Sequence, residues 1–299
     1  MLSSGLWLLL IIGLLYGGGV IGMLYLARWL RRTRWPFKQE DRLVRSPGEH
    51  LRRRINEIDE QFLIEILTGF MGVLFALGLA AGPFRQWFGW TPRFATIVAL
   101  FASTGLGLFS IWRVFRLWQE RSNHFLGWFG ERVVGEELQK ATVHGWRVFH
   151  DLPFKNNGAD FNIDHVVVGP GGMFAIETKT RRKGNARPGF KDNTVFFDGR
   201  DLVWPWKEDN HGLEQAERNA LWLTNWIRTE IGERVHVSPV LALPGWWLEM
   251  KPSRETRLCR VVNPKWLPGI LADQKPLLTP KQVELIALRL EARCRDVEY

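Results

Sequence analysis

Residues 161–179 read FNIDHVVVGPGGMFAIETK. Two short apolar runs flank Gly169-Pro170-Gly171-Gly172, a hairpin signal. Ile163, Val166, Val167 and Val168 lead into the turn, and Met173, Phe174, Ala175 and Ile176 lead out of it. A two-residue loop at Pro170-Gly171 pairs Gly169 with Gly172. A four-residue loop over 169–172 pairs Val168 with Met173, which is the same register. Counting outward sets Asp164 opposite Glu177, with Cβ atoms about 4.5–5.5 Å apart on one face. Lys179 follows two residues on along that face. Two carboxylates held so close repel unless a cation or a proton sits between them. A Glu-x-Lys at a strand end is ordinarily a solvated pair, contributing about 0–1 kcal/mol. Here the acids follow apolar runs and face each other, which favours a metal site.

These residues carry a resemblance. Asp164, then Glu177-Thr178-Lys179 after a hairpin, resembles the D…(D/E)-x-K core of the PD-(D/E)XK nuclease superfamily. The stretch IDHVVVGPGGMFAIETK, with Gly130-Glu131 and Gly135-Glu136 upstream, resembles the nuclease-related domain (NERD) family within it, from roughly Gly130 to Pro244. The resemblance implies an α/β fold with a restriction-endonuclease-like core, a central mixed sheet flanked by helices. It implies phosphodiester hydrolysis dependent on Mg²⁺ (or Mn²⁺). Asp164, Glu177 and the backbone carbonyl of Thr178 are then the metal ligands, and Glu136 on the first helix assists them. Lys179 positions or deprotonates the attacking water, or stabilises the transition state. Gln215 matches a glutamine that such folds place near the site on the following helix. Asn162 stands where many relatives carry an acid, which leaves one or two metals open.

Composition points the same way. The 299 residues carry 40 Lys and Arg against 31 Asp and Glu, a net charge of +9, which suits nucleic acid or anionic lipid. Many of the 16 tryptophans sit beside apolar runs, as interfacial anchors do. Cys259 and Cys294 have no Cys/His ligand spacing around them, which argues against a disulfide framework or a zinc site. No G-x-x-x-x-G-K-[ST] loop occurs, so no built-in motor is expected.

The first part of the chain reads as an all-α membrane region over 1–125, with spans at about 6–27, 66–84 and 94–112. The first run lacks the basic start of a secretory signal, and its arginines follow it. Residues 28–62 form a basic, amphipathic segment, in which Leu51, Ile55, Ile58 and Phe62 recur at helical spacing. The basic flanks put the N-terminus outside and everything after Trp112 in the cytoplasm, on a multi-pass inner membrane protein. Residues 126–299 form the cytoplasmic nuclease-like domain.

Within that domain, helices are expected at Gly130–Ala141, at 213–227 and from Pro280 to about Arg295. Strands are expected at Trp146–His150, at 193–197 and 202–204 about the Asp198-Gly199 turn, at Val235–Leu243 and at Leu258–Val262. Asp151-Leu152-Pro153 is expected to end the first strand. The run Arg181, Arg182, Lys183, Arg187 and Lys191 leaves the strand that carries Lys179, where a phosphate backbone would need neutralising. Trp204 and Trp206 suit core or rim packing, with base stacking as the alternative. The expected partners are nucleic acid, DNA ahead of RNA, and a lipid bilayer, with a homo-oligomer left open. A catalytically silent tethered binding module and a membrane scaffold are the competing readings.

Overall fold

The computed structural model describes residues 13, 15–20, 22–23, 25–27, 29–30, 42–81, 88–156, 158–184, 186–251 and 257–297. The chain forms two compact units. One comprises Met1–Glu40 and Arg54–Asn123, the other Asp41–Arg53 and His124–Tyr299.

Two long helices dominate the first unit: α1 (Glu49–Ala81) and α2 (Pro92–Gln139), each of which also enters the second. Inside the first unit they run antiparallel, tied by Arg54–Glu120 at 2.7 Å, Arg121–Asp59 at 2.5 Å and Arg113–Glu65 at 3.5 Å. Further along, a Cβ on Gly69 would stand 1.9 Å from Ser110 Oγ, so only glycine permits this approach. Small residues at close crossings typify helix pairs in lipid. Phe70, Phe75, Phe101, Phe109 and Trp112 are exposed.

Among the described residues two helices, not the expected three, are long and apolar enough to cross a membrane. They carry the second and third expected spans, except for residues 82–84, which lie outside the described residues. Most of 6–14 in the first expected span also lies outside them; those described between 13 and 27 are helical. The amphipathic stretch at 51–62 is not a separate helix. Nothing between Phe62 and Ile66 breaks the backbone, and α1 runs through both.

The second unit is mixed α/β. Its strands are β1 (Leu43–Val44), β2 (Arg147–Asn156), β3 (Ala159–Gly169), β4 (Gly172–Thr178), β5 (Thr194–Phe197), β6 (Leu202–Val203), β7 (Val237–Ala242), β8 (Trp247–Met250), β9 (Arg260–Val262) and β10 (Arg295–Val297). Its further helices are α3 (His211–Ile231), α4 (Leu267–Ala272) and α5 (Pro280–Cys294). The main sheet has the order β2-β3-β4-β7-β9: the first three strands are antiparallel, and β4, β7 and β9 are parallel. A smaller sheet, β6-β5-β8, and a two-stranded pair, β1-β10, complete it.

Every residue of β4 is buried, as a central strand covered on both faces requires. Val166, Val168, Met173 and Ala175 pack with Leu223 and Ile227 of α3 and Ile286 and Leu290 of α5. Val167, Phe174 and Ile176 pack on the other face with Val134 and Leu138 of α2 and Leu267 and Leu271 of α4. Trp204 is buried in a third cluster and packs on Trp206 and Trp246, which is core packing, not an open stacking platform.

The hairpin register is the expected one, with Gly169 opposite Gly172 and Val168 opposite Met173. The first strand does not stop at Asp151-Leu152-Pro153 but runs on to Asn156. As an edge strand it tolerates proline, which has no N–H to give a neighbour. Thr279 caps α5 with a capping box, and Pro280 occupies its first turn. The chain then leaves the helix at Cys294, and β10 pairs with β1.

Candidate active site

The β3–β4 hairpin ladder ends at His165–Ile176, one step short of Asp164 and Glu177. Freed from the ladder there, the Thr178 N–H donates to Asp164 Oδ2 at 2.7 Å. Alternation along β4 sends Glu177 to the same face as Met173 and Ala175, the face that α3 covers. On α3, Asn219 donates to Glu177 Oε2 at 3.1 Å, and Gln215 Oε1 accepts from Lys179 Nζ at 3.0 Å. Lys179 Nζ also donates to Glu177 Oε1 at 2.7 Å. A Cβ on Gly212 would stand 3.0 Å from Lys179 Cγ, so the glycine lets the start of α3 approach the lysine.

From the opposite side α2 contributes Glu131, which is buried. It reaches the site because Gly130 allows the helix against Thr180, where a Cβ would come within 2.5 Å of the threonine side chain. Glu131, Asp164, Glu177, Lys179, Gln215 and Asn219 line one cavity of about 820 Å³, with His50 and Arg218 at its wall.

The electrostatics are those of too much negative charge in too little water. Burial pushes Glu177 up to about 8, and Asp164 beside it adds to the shift. Burial raises Asp164 as well, against the pull of Lys179 and the Thr178 N–H. Burial, then Asp164, Asp151 and Glu177, holds Glu131 well above the usual carboxylate range. For Lys179, burial opposes the charge, but Glu177 and Asp164 more than offset it and hold the ammonium above its ordinary value.

These donors fit a hard divalent cation. They are all oxygen, they repel one another without a cation, and Glu131 Oε2 is buried with no hydrogen-bond partner. Among the described residues no group of three or more His, Cys, Asp or Glu side chains is placed to hold a metal ion, so an ion here would rest on fewer carboxylates. That pattern suits Mg²⁺, which typically takes one or two carboxylates and completes its shell with water and phosphate oxygens.

The structure thus brings together Asp164, Glu177, Thr178, Lys179 and Gln215. It does not bring Glu136 to them. Glu136 is exposed, pairs with Arg132 at 3.6 Å and lines a different cleft. Five residues on a helix turn the side chain well away from Glu131, so only one of the two Gly-Glu pairs can face the site. Glu131 was legible: it shares the buried stripe of Val134, Leu138 and Ala141 at helical spacing, and an acid on an apolar stripe needs a reason. Asn219, one helical turn beyond Gln215, is the other residue the sequence reading did not assign.

The basic run is partly committed elsewhere. Arg181 pairs with Asp209 at 2.5 Å and lies over the Trp204 ring. Arg187 donates to the Pro205 and Trp204 carbonyls and lies over Phe190. Arg182 and Lys183 are exposed, and Lys191 stands 4.0 Å from Glu249.

Residues 126–244 match the family model of the nuclease-related domain (NERD), and that segment holds Glu131, Asp164, Glu177, Lys179, Gln215 and Asn219. Comparison with curated proteins and with solved structures gives no match.

Proposed function

We propose that the chain is a membrane-anchored nuclease-like protein that hydrolyses phosphodiester bonds of nucleic acid, with DNA the expected partner ahead of RNA, and with Mg²⁺ or Mn²⁺. The observation that supports this most is the convergence of three buried carboxylates, Glu131, Asp164 and Glu177, on a cavity where Lys179 bonds to Glu177. The NERD match over the same residues agrees with it. The mixed sheet, with the site where β4 ends, is compatible with a restriction-endonuclease-like core.

Asp164, Glu177 and the Thr178 carbonyl would hold the ion, with Glu131 in reach directly or through water. When bound, the ion supplies Lewis-acid polarisation of the scissile phosphate and lowers the pKa of a water. Asn219 fixes the Glu177 carboxylate, and Gln215 fixes the Lys179 ammonium. Lys179 is then aimed at the attacking water or at the charge that develops on the phosphate. Lys183, Arg182 and Lys191 would neutralise backbone flanking the site, with Arg181 and Arg187 holding their loop in place.

The exposed aromatic residues of α1 and α2 and the close crossing at Gly69 support insertion in lipid. The arginine-rich flanks support an outside N-terminus, a span near 6–27 and a cytoplasmic second unit.

The deciding experiment incubates the full chain in detergent with plasmid, single-stranded DNA and RNA, with Mg²⁺, Mn²⁺ or EDTA. Glu177→Ala is run beside it. Metal-dependent cutting that the variant loses is the expected result. Salt-sensitive binding without cutting would instead make the second unit a tethered binding module.

A further inference from the structure

Among the described residues Asp151 is the most thoroughly enclosed carboxylate of the second unit, with no exposed surface, and it does not line the cavity of the candidate site. It sits in β2 at φ 51°, in the left-handed region that a non-glycine residue seldom occupies. Such a conformation persists only where the surroundings hold it. Here four groups do. Its Oδ2 accepts from Arg45 Nη1 at 3.1 Å and from the His50 N–H at 2.7 Å. Its Oδ1 accepts from Asn162 Nδ2 at 2.8 Å and faces His50 Nδ1 at 2.5 Å. Asn162 was expected to be a departure from an acidic metal-site position; it serves instead as a donor to this carboxylate.

A carboxylate on one ring nitrogen assigns the proton to Nδ1 and fixes the plane of the imidazole. Nε2 is left with no partner among the described residues. The ring is about one-third exposed and forms part of the wall of the cavity that holds Asp164, Glu177 and Lys179. His50 also lines the neighbouring cleft, where Arg42, Arg45, Lys155, Arg293 and Arg295 gather; of these, Arg45 pairs with Asp151 and Asp296, Lys155 with Asp160 and Arg295 with Glu291. The imidazole therefore stands where a carboxylate-lined cavity meets an arginine-rich cleft, where a phosphate entering the cavity can reach it.

We infer that His50, aimed by Asp151, is a substrate-binding residue: its Nε2–H donates to a non-bridging phosphate oxygen of nucleic acid entering the cavity. With Nδ1–H held by Asp151, Nε2 donates once it takes up a proton from water as the phosphate enters, and no bond of the substrate forms or breaks. The residue comes from the segment before α1's apolar stretch, outside the matched 126–244. The inference rests on the nuclease reading for its substrate class.

Two substitutions separate this role from a merely structural one. His50→Asn keeps a donor near the Nδ1 position, and so the tie to Asp151, but has nothing at Nε2. His50→Gln places an amide nearer the Nε2 position. The full chain in detergent is assayed for cleavage with Mg²⁺ and for binding of a labelled oligonucleotide with Ca²⁺, with thermal melting as the fold control. A charge-assisted hydrogen bond of the usual strength predicts a loss of about tenfold or more in kcat/KM for His50→Asn, carried mainly by KM. His50→Gln should recover part of it, and His50→Asn, which keeps the tie to Asp151, should melt like the wild type. A folded His50→Asn protein that cuts and binds like the wild type overturns the inference and leaves the nuclease reading standing. A wild type that binds without cutting removes the nuclease reading alone, and the Ca²⁺ binding arm then decides for His50. A wild type that does neither removes both.

Discussion

Lys179 Nζ lies 2.7 Å from Glu177 Oε1 although the two residues are separated by one position on an extended chain. The lysine has left β4 at that point, and its backbone N–H donates to the Ala242 carbonyl at 3.0 Å. The side chain can therefore turn back over the carboxylate instead of standing beside it. Gln215 then fixes the far side of the ammonium.

From this follows a graded pair of variants. Lys179→Ala is expected to lower the cleavage rate by about 10²–10⁴-fold, the range for a positioned proton-transfer or charge-stabilising group. Gln215→Ala keeps the charge and loses only its orientation, with an expected cost of about tenfold. Single-turnover cleavage rates measure both. Equal rates for Gln215→Ala and wild type would remove the glutamine from the site.

Two glutamates five residues apart on α2 offer a sharper test of geometry. Glu131→Gln should weaken apparent Mg²⁺ affinity by about 10–100-fold, the usual effect of losing an outer partner of a metal site. Glu136→Ala should leave affinity unchanged and alter stability by no more than about 0.5 kcal/mol, as exposed substitutions generally do. Metal titrations of activity distinguish the two.

How much of this was legible in the sequence depends on how local the cause is. The Asp164–Glu177 face follows from turn chemistry at Pro170-Gly171 and the two-residue strand period, and both act within the stretch 161–179. The α3 stripe and the α5 cap are local in the same way. Glu131 was missed because the resemblance was carried onto Glu136 of the second Gly-Glu pair, whereas the site lies where the stripe of Val134 and Leu138 meets the sheet. The roles of Arg45 and His50 were out of reach. Their partner Asp151 is 106 and 101 residues away, and Asp296 is 251 from Arg45, and no periodicity encodes such contacts.

The exposed lysines of the basic run give a binding prediction. Lys183→Glu and Lys191→Glu should weaken nucleic-acid binding and flatten its salt dependence, since each phosphate contact contributes to that slope. Arg181→Ala should instead act through its loop, because its guanidinium is engaged with Asp209 and Trp204. Binding measured across a salt series, beside melting temperature, separates the two kinds of effect. Unchanged slopes in both lysine variants would take the run out of the interface.

His150 and His165 face each other through Nδ1 atoms 2.8 Å apart inside the second unit. Burial lowers His150 to about 4 from an ordinary 6.5, with Asp151 opposing. A lowered histidine pKa means that the unfolded chain takes up a proton the folded one resists. The stability this group contributes is therefore complete above about pH 6.5 and is lost as pH falls from there towards 4. The loss should reach about 3 kcal/mol at the acid end. His150→Asn, which keeps a polar partner for His165 and cannot charge, should flatten the pH dependence of the urea midpoint over that interval. An unaltered acid limb would show that other groups carry it.

The segment 42–53 packs as part of the second unit. Arg45 is buried between Asp151 at 3.1 Å and Asp296 at 2.6 Å, its backbone N–H donates to the Cys294 carbonyl, and β1 beside it pairs with β10. Removing the guanidinium leaves Asp151 with no exposed surface and one cation fewer, the situation in which a broken buried pair typically costs about 3–5 kcal/mol. Arg45→Ala should therefore lower the denaturation midpoint of the second unit by that amount. A fragment cut at residue 126, where the family match begins, should fare worse, since it loses Arg45, His50 and the β1 pairing together. Denaturant unfolding of the full chain, of Arg45→Ala and of the 126–299 fragment orders the three. A fragment as stable as the full chain would show that Asp151 finds other partners once the segment is gone.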